Sequence, residues 1–315
     1  MSQDHPTDAE LREPGAARLG VLGKPIAHSK SPAIHAAAYG VLGLPWSYDR
    51  AELDAPELEG HLAGLGADWR GLSLTMPLKE EAARLARVID PVAAESGVVN
   101  TLLRLTDDAS GRPQWAGFNT DVAGLARAIE RAGLDASATV VLGAGATAVS
   151  AVLAARTLGA GSLGAGSLGA GSLGAGSLGA ESQGAQRLVI AARRPEAAAE
   201  LAARFGEGVS AMTLGDSPDF DPTLVISTLP GPASETVVLP EAFLRVPLFD
   251  VAYDPWPSPL ATRWRAAGGV AHAGLDMLVE QALVQIRIFV NGDPDTPLTD
   301  EESVLAAMRA ASVER

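Results

Sequence analysis

The stretch Thr139-Val-Val-Leu142 runs without a linker into Gly143-Ala-Gly-Ala-Thr-Ala148, and this junction constrains the fold more than any other part of the chain. A short buried strand that ends on small residues and turns at once into a helix opens a βαβ unit. The first glycine permits a tight turn, the second lets backbone approach a pyrophosphate, and Ala148 is small enough for close helix–strand packing. The N–H groups and dipole of the helix start favour negative charge there. Small-residue turns also join strands to helices where no nucleotide binds, so the motif alone leaves both readings open.

The rest of the chain keeps the same rhythm. Apolar and Ala/Leu-rich amphipathic segments alternate at 19–22, 31–42, 47–50, 55–65, 71–74 and 80–88. A second series starts near Asp121, with helices over 121–132, 146–158 and 195–205 and strands over 139–142, 187–192, 224–227 and 248–251. This predicts an α/β fold with mainly parallel sheet. Ser31-Pro32 reads as an N-cap followed by a proline at the first helical position. A long apolar-faced helix is expected over 275–290, and Thr299-Asp-Glu-Glu302 reads as a capping box opening a last helix to about 311.

One segment breaks the rhythm. Gly-Ser-Leu-Gly-Ala occurs four times from Gly161 to Ala180, and Glu181-Ser-Gln-Gly-Ala185 is a decayed fifth copy. Glycine at two of every five positions makes a helix costly, so 161–185 reads as a flexible loop inserted between a helix and the next strand, without a chemical role. Residues 1–17 are polar and acidic and read as a disordered leader, not a signal peptide. No run of eighteen apolar residues occurs, which predicts a soluble, cytoplasmic protein.

With 24 basic against 38 acidic residues the net charge is −14, which argues against nucleic acid or anionic membrane as partners. The absence of cysteine excludes disulfides, thiolate catalysis and Cys-type zinc sites, and the five histidines show no metal-ligand spacing. His28 and His35 read as structural.

Two further features carry chemistry. After the second strand of the βαβ unit, where a carboxylate would hold a ribose 2′-hydroxyl, the chain has Ala192-Arg193-Arg194. Two guanidinium groups suit a 2′-phosphate, hence NADP, unless they are ordinary surface arginines. Lysine occurs only at positions 24, 30 and 79 in a chain that otherwise uses arginine. Lys79, in Ser73-Leu-Thr-Met-Pro-Leu-Lys79 just after a strand, is therefore a candidate titratable amine; a solvent-facing lysine at a helix start is the alternative.

Several motifs now resemble one family in order. They are Gly23-Lys-Pro-Ile-Ala-His-Ser29-Lys-Ser31-Pro-x-x-His35, Ser73-Leu-Thr75-Met-Pro-Leu-Lys79, Gly97-Val-Val-Asn100-Thr101-Leu and Asn119-Thr120-Asp121-x-x-Gly124. The Gly-Ala-Gly turn, Ala-Arg-Arg, Asp250-Val-Ala-Tyr253 and Gly274-Leu-Asp-Met-Leu-Val-Glu-Gln281 follow. Over about 19–290 the chain resembles the shikimate dehydrogenases. It departs from them at Ser73, where asparagine is commoner, at Leu78, where an aromatic is commoner, at Ala192, and in the repeat.

The resemblance implies reversible, NADP-dependent reduction of 3-dehydroshikimate to shikimate. Lys79 and Asp121 match the catalytic pair, and Ser29 and Ser31 the hydroxyls that hold the substrate carboxylate. Thr75, Asn100 and Gln281 match groups bonded to the ring hydroxyls, and Tyr253 a further substrate contact. Gly143, Ala144, Gly145, Ala146 and Thr147 would bind the pyrophosphate, Arg193 and Arg194 the 2′-phosphate, and Val251 and Gly274 the nicotinamide end. The competing readings are that Ser31 only caps its helix, that Asn119 only shapes a turn, and that Asp121 only complements a helix dipole.

The implied architecture is a substrate-binding α/β domain, 18–120 plus 274–315, and a Rossmann-type doubly wound domain, 121–273, separated by a cleft that closes over the reaction. The partners expected are small molecules only, in a monomer or homodimer. The competing expectations are an NAD-preferring quinate/shikimate dehydrogenase and a non-catalytic shikimate-binding sensor.

Overall fold

The computed structural model describes residues 15–161 and 187–313. Most of the expected leader and nearly all of the repeat lie outside the described residues. The chain forms two compact units, residues 15–93, 98–118 and 285–313 in the first and 94–97, 119–161 and 187–284 in the second.

The first unit begins with β1 (Ala17–Gly23), α1 (Ser31–Leu42), β2 (Trp46–Glu52), α2 (Leu58–Ala63) and β3 (Trp69–Leu74). It continues through α3 (Lys79–Leu85), β4 (Val88–Ile89), α4 (Pro91–Ser96), β5 (Thr101–Arg104) and β6 (Trp115–Phe118). The sheet order is β2-β1-β3-β5-β6-β4. β1 runs parallel to β2 and β3, but β5 is antiparallel to both its neighbours. The expected mainly parallel sheet is thus mixed here; β5 and β6 pair antiparallel because the connection 105–114 is too short for a helical crossover, which takes about a dozen residues or more. Leu22, Leu58, Leu72, Leu78, Leu102 and Trp115 form one apolar core of this unit.

The second unit contains α5 (Asp121–Arg131), β7 (Ala138–Leu142), α6 (Ala146–Gly161), β8 (Arg187–Ala192), α7 (Pro195–Phe205), β9 (Val209–Thr213) and β10 (Leu224–Ser227). It is completed by α8 (Gly231–Thr236), β11 (Leu248–Asp250), α9 (Pro259–Ala266), β12 (Ala271–Ala273) and the start of α10 (Leu275–Asn291). Its sheet is parallel throughout, in the order β12-β11-β10-β7-β8-β9. That is the doubly wound arrangement, and the winding reverses between β7 and β10, where such sheets bind ligands beyond their carboxyl ends. Val140, Leu142, Val225, Phe243, Leu248 and Trp264 pack its core, and Trp264 Nε1 donates to the Val246 carbonyl at 2.8 Å.

Three local expectations differ from the structure. The return to the first unit falls within α10, after Val284, and not at 274. Residues of its first turns belong with α5: a Cβ on Gly124 would lie 2.7 Å from the Gln281 backbone nitrogen, and Glu280 pairs with Arg131 at 3.7 Å. Ser31 is already helical and does not cap α1; Lys30 stands at the cap position, and no side chain caps this helix. The last helix, α11 (Glu301–Val313), starts at Glu301 rather than through Thr299 and Glu302. Glu301 itself takes the Leu298 N–H at 3.0 Å and pairs with Arg287, which removes the need for the threonine cap. No helix among the described residues is long and apolar enough to cross a membrane.

Candidate functional site

In the second unit the candidate cofactor residues follow strand ends. Gly143 comes directly after β7, Arg193 after β8, Val251 after β11 and Gly274 after β12. Because these strands are all parallel, the four positions share the sheet's carboxyl edge. Gly143 has φ of +118°, and an added Cβ would collide with the Thr228 side chain, so the turn needs glycine. In front of Gly145 there is open space: a Cβ there would meet nothing within 4 Å. Ala144 connects the two glycines, Ala146 and Thr147 begin α6, and Ala148 is fully buried against the sheet. Backbone N–H groups at an open helix start fit the pyrophosphate of a dinucleotide.

Arg193 and Arg194 are exposed, the latter at the cap of α7 with extended backbone. Gly274 is held against the Val251 carbonyl so closely that any side chain would clash, and its N–H donates to the Ala252 carbonyl at 3.0 Å. Tyr253 opens the proline-rich loop that follows, and burial raises its hydroxyl above the ordinary value, leaving it a proton donor.

In the first unit, β3 and β5 bring another group together. Leu74 N–H donates to the Asn100 carbonyl at 2.7 Å, and Thr75 N–H to the Leu22 carbonyl at 2.9 Å. Val99 N–H donates to the Lys79 carbonyl at 2.9 Å. Thr75, Lys79 and Asn100 therefore meet at one end of the sheet, with Lys79 buried at the first position of α3. Ser29 and Ser31 follow β1, linked by a bond from Ser31 N–H to Ser29 Oγ at 3.3 Å. Between them, Lys30 Nζ donates to the Ser312 carbonyl of α11 at 2.7 Å, while Lys24 pairs with Asp54 at 2.6 Å.

In the second unit, Asp121 is the buried first residue of α5. Asn119 shapes the approach: its Oδ1 accepts the Asp121 N–H at 3.1 Å, and its Nδ2 donates to Ser96 Oγ at 2.9 Å and Ser150 Oγ at 3.1 Å. Gln281 accepts from Thr120 Oγ1 at 3.3 Å, one residue from Asp121.

His35 is structural, as expected, whereas His28 is exposed. His35 stacks on Tyr48 with ring centroids 3.9 Å apart and sits 3.1 Å from the Tyr39 hydroxyl. Burial pushes it down to about 3. A base held neutral by the fold gains its proton on unfolding, so its stabilisation is full above about pH 6.5 and is lost as pH falls toward 3. From pH 7 to 4.5 this group should cost about 2–3 kcal/mol of stability. Urea unfolding of the protein and of His35→Phe at both pH values checks this; the variant should lose less by that amount, and equal losses would refute it.

Sequence reasoning missed a buried polar chain beside Asn100, running through Tyr48, Ser73, Gln285 and Thr101. Ser73 had a signal as a departure from the family pattern and Thr101 as a member of a family motif, but neither pointed to Tyr48 or Gln285.

Residues 21–102 match the model of the shikimate dehydrogenase substrate binding domain. A shikimate dehydrogenase (NADP+) of Moorella thermoacetica is 31% identical, with 90% of each chain covered. The crystal structure of Mycobacterium tuberculosis shikimate dehydrogenase shares 33% identity at a TM-score of 0.71, covering 93% of this chain and 99% of that one. Shikimate 5-dehydrogenase of Thermus thermophilus, solved with NADP(H) and shikimate, shares 28% identity at a TM-score of 0.71, over 94% and 99% of the two chains. The doubly wound sheet with its glycine turn, the motif order and this end-to-end similarity lead to one conclusion: the chain belongs to the shikimate dehydrogenase family.

Proposed function

We propose that this protein is an NADP-dependent shikimate dehydrogenase that interconverts 3-dehydroshikimate and shikimate in the cytoplasm, as a monomer or homodimer. The observation that carries the cofactor half is the shared carboxyl edge of Gly143, Arg193, Val251 and Gly274, with open space in front of Gly145. Gly143 to Thr147 would hold the pyrophosphate, Arg193 and Arg194 the 2′-phosphate, and Val251 and Gly274 the nicotinamide end. Bound NADPH supplies the hydride.

The chain's own residues supply the proton and the orientation. Lys79 gives a proton to the substrate oxygen as the carbon is reduced and takes it back in the reverse direction. Asp121 orients the amine and exchanges protons with it. Ser29 and Ser31 hold the carboxylate; that Ser31 does not cap its helix supports this role. Thr75, Asn100, Gln281 and Tyr253 bond the hydroxylated ring, and neutral groups suit hydroxyls that both donate and accept. A site built on such bonds rejects analogues that lack one hydroxyl.

The test is NADPH absorbance with shikimate, quinate and neither, repeated with NAD. Shikimate with NADP should give the highest kcat/KM. Preference for NAD with quinate would favour the related quinate activity, and shikimate binding without turnover at any pH would make the protein a sensor.

A further inference from the structure

The buried polar chain has a direction, and one obligate acceptor fixes it. Gln285 Nε2 lies 3.3 Å from the Asn100 backbone carbonyl, which can only accept, so the nitrogen end of the Gln285 amide faces that way. Its oxygen therefore faces Ser73 and accepts the Ser73 hydroxyl proton at 2.8 Å. Ser73, its O–H committed to Gln285, accepts from the Tyr48 hydroxyl at 2.6 Å. On the other side Gln285 Nε2 donates to Thr101 Oγ1 at 2.9 Å. Thr101 then donates its own O–H to Asn100 Oδ1 at 2.8 Å. Every member is buried, and Ser73 and Thr101 are register partners on β3 and β5, so α10 reads both through one amide.

We infer that Thr101 and Gln285 are positioning residues that fix which edge of the Asn100 carboxamide meets the substrate, turning its NH2 group outward as a donor. An asparagine free to flip would offer a donor or an acceptor; this one offers a donor. The substrate oxygen at Asn100 accordingly accepts, and it directs any proton of its own to a different group. The inference rests on the proposed contact of Asn100 with the substrate ring. It adds a selection rule: a substrate analogue presenting only an N–H or ammonium donor at this position is refused.

The test is steady-state kinetics on Thr101→Val, Thr101→Ser, Asn100→Ala and the Thr101→Val/Asn100→Ala double variant. Thr101→Val removes the bond that holds the amide and should raise KM for shikimate about tenfold, the effect of one buried hydrogen bond. Its kcat and KM for NADP should stay within about threefold, and Thr101→Ser, which keeps the hydroxyl, should restore the parent KM. On the Asn100→Ala background Thr101→Val should add less than about twofold, because it acts only through that amide. If Thr101→Val does not fold, Gln285→Met breaks the preceding link and carries the same expectations.

A Thr101→Val KM equal to the parent's, or its full tenfold loss on the Asn100→Ala background, would overturn the positioning role while leaving the substrate contact intact. An unchanged KM in Asn100→Ala would overturn the contact itself, and the positioning role with it.

Discussion

Replacing Lys79 with alanine is expected to lower kcat by about 10²–10⁴-fold, the usual contribution of a positioned proton donor, while shikimate binding measured by calorimetry changes only a few-fold. The three lysines occupy different situations. Lys24 is tied to Asp54 in an exposed pair, and Lys30 anchors the last helix through the Ser312 carbonyl. Lys79 alone of the three is buried, at a helix start reached from the end of β3, and its backbone carbonyl is bound to Val99 beside Asn100. Losing a group that acts on the moving proton affects the transition state more than the bound substrate. A parallel loss in binding and turnover would instead mark Lys79 as a binding residue. Asp121→Asn should show the same split more weakly, given its proposed role of orienting the amine.

The second large effect concerns cofactor choice. Converting both Arg193 and Arg194 to alanine should raise KM for NADP about 100-fold or more, from two charge-assisted bonds to a dianionic phosphate. KM for NAD, which lacks that phosphate, should change about threefold or less. Both side chains are exposed directly beyond β8, and neither has an ion pair among the described residues. Rates with each cofactor across a range of concentrations decide it. An equal rise for NAD and NADP would show that the arginines support the turn rather than read the phosphate, and steeper salt dependence for NADP would accompany the expected result.

The features legible in the sequence were those written locally. A strand, two glycines and a helix occur within about ten residues, so 139–148 announced both the doubly wound unit and its turn. The antiparallel β5 was harder, because the direction of a short strand depends on its neighbours and not on its own composition. The Ser31 cap failed for a related reason: Ser-Pro fits two adjacent registers of a helix start, and the backbone chose the one that makes Ser31 helical. Gln281 and Gln285 lie one turn apart on α10, yet only Gln281 sits in a motif. Gln285 gains its meaning from Thr101 and Ser73, 184 and 212 residues away, and no spacing rule reaches that far.

The bond from Lys30 to the Ser312 carbonyl has a practical reading for anyone handling the protein. Lys30 separates the two serines proposed to grip the carboxylate, so the last turn of α11 holds the loop proposed to meet that group. Trimming the final turn, or attaching a purification handle there, would loosen that grip without touching a single residue of the catalytic machinery.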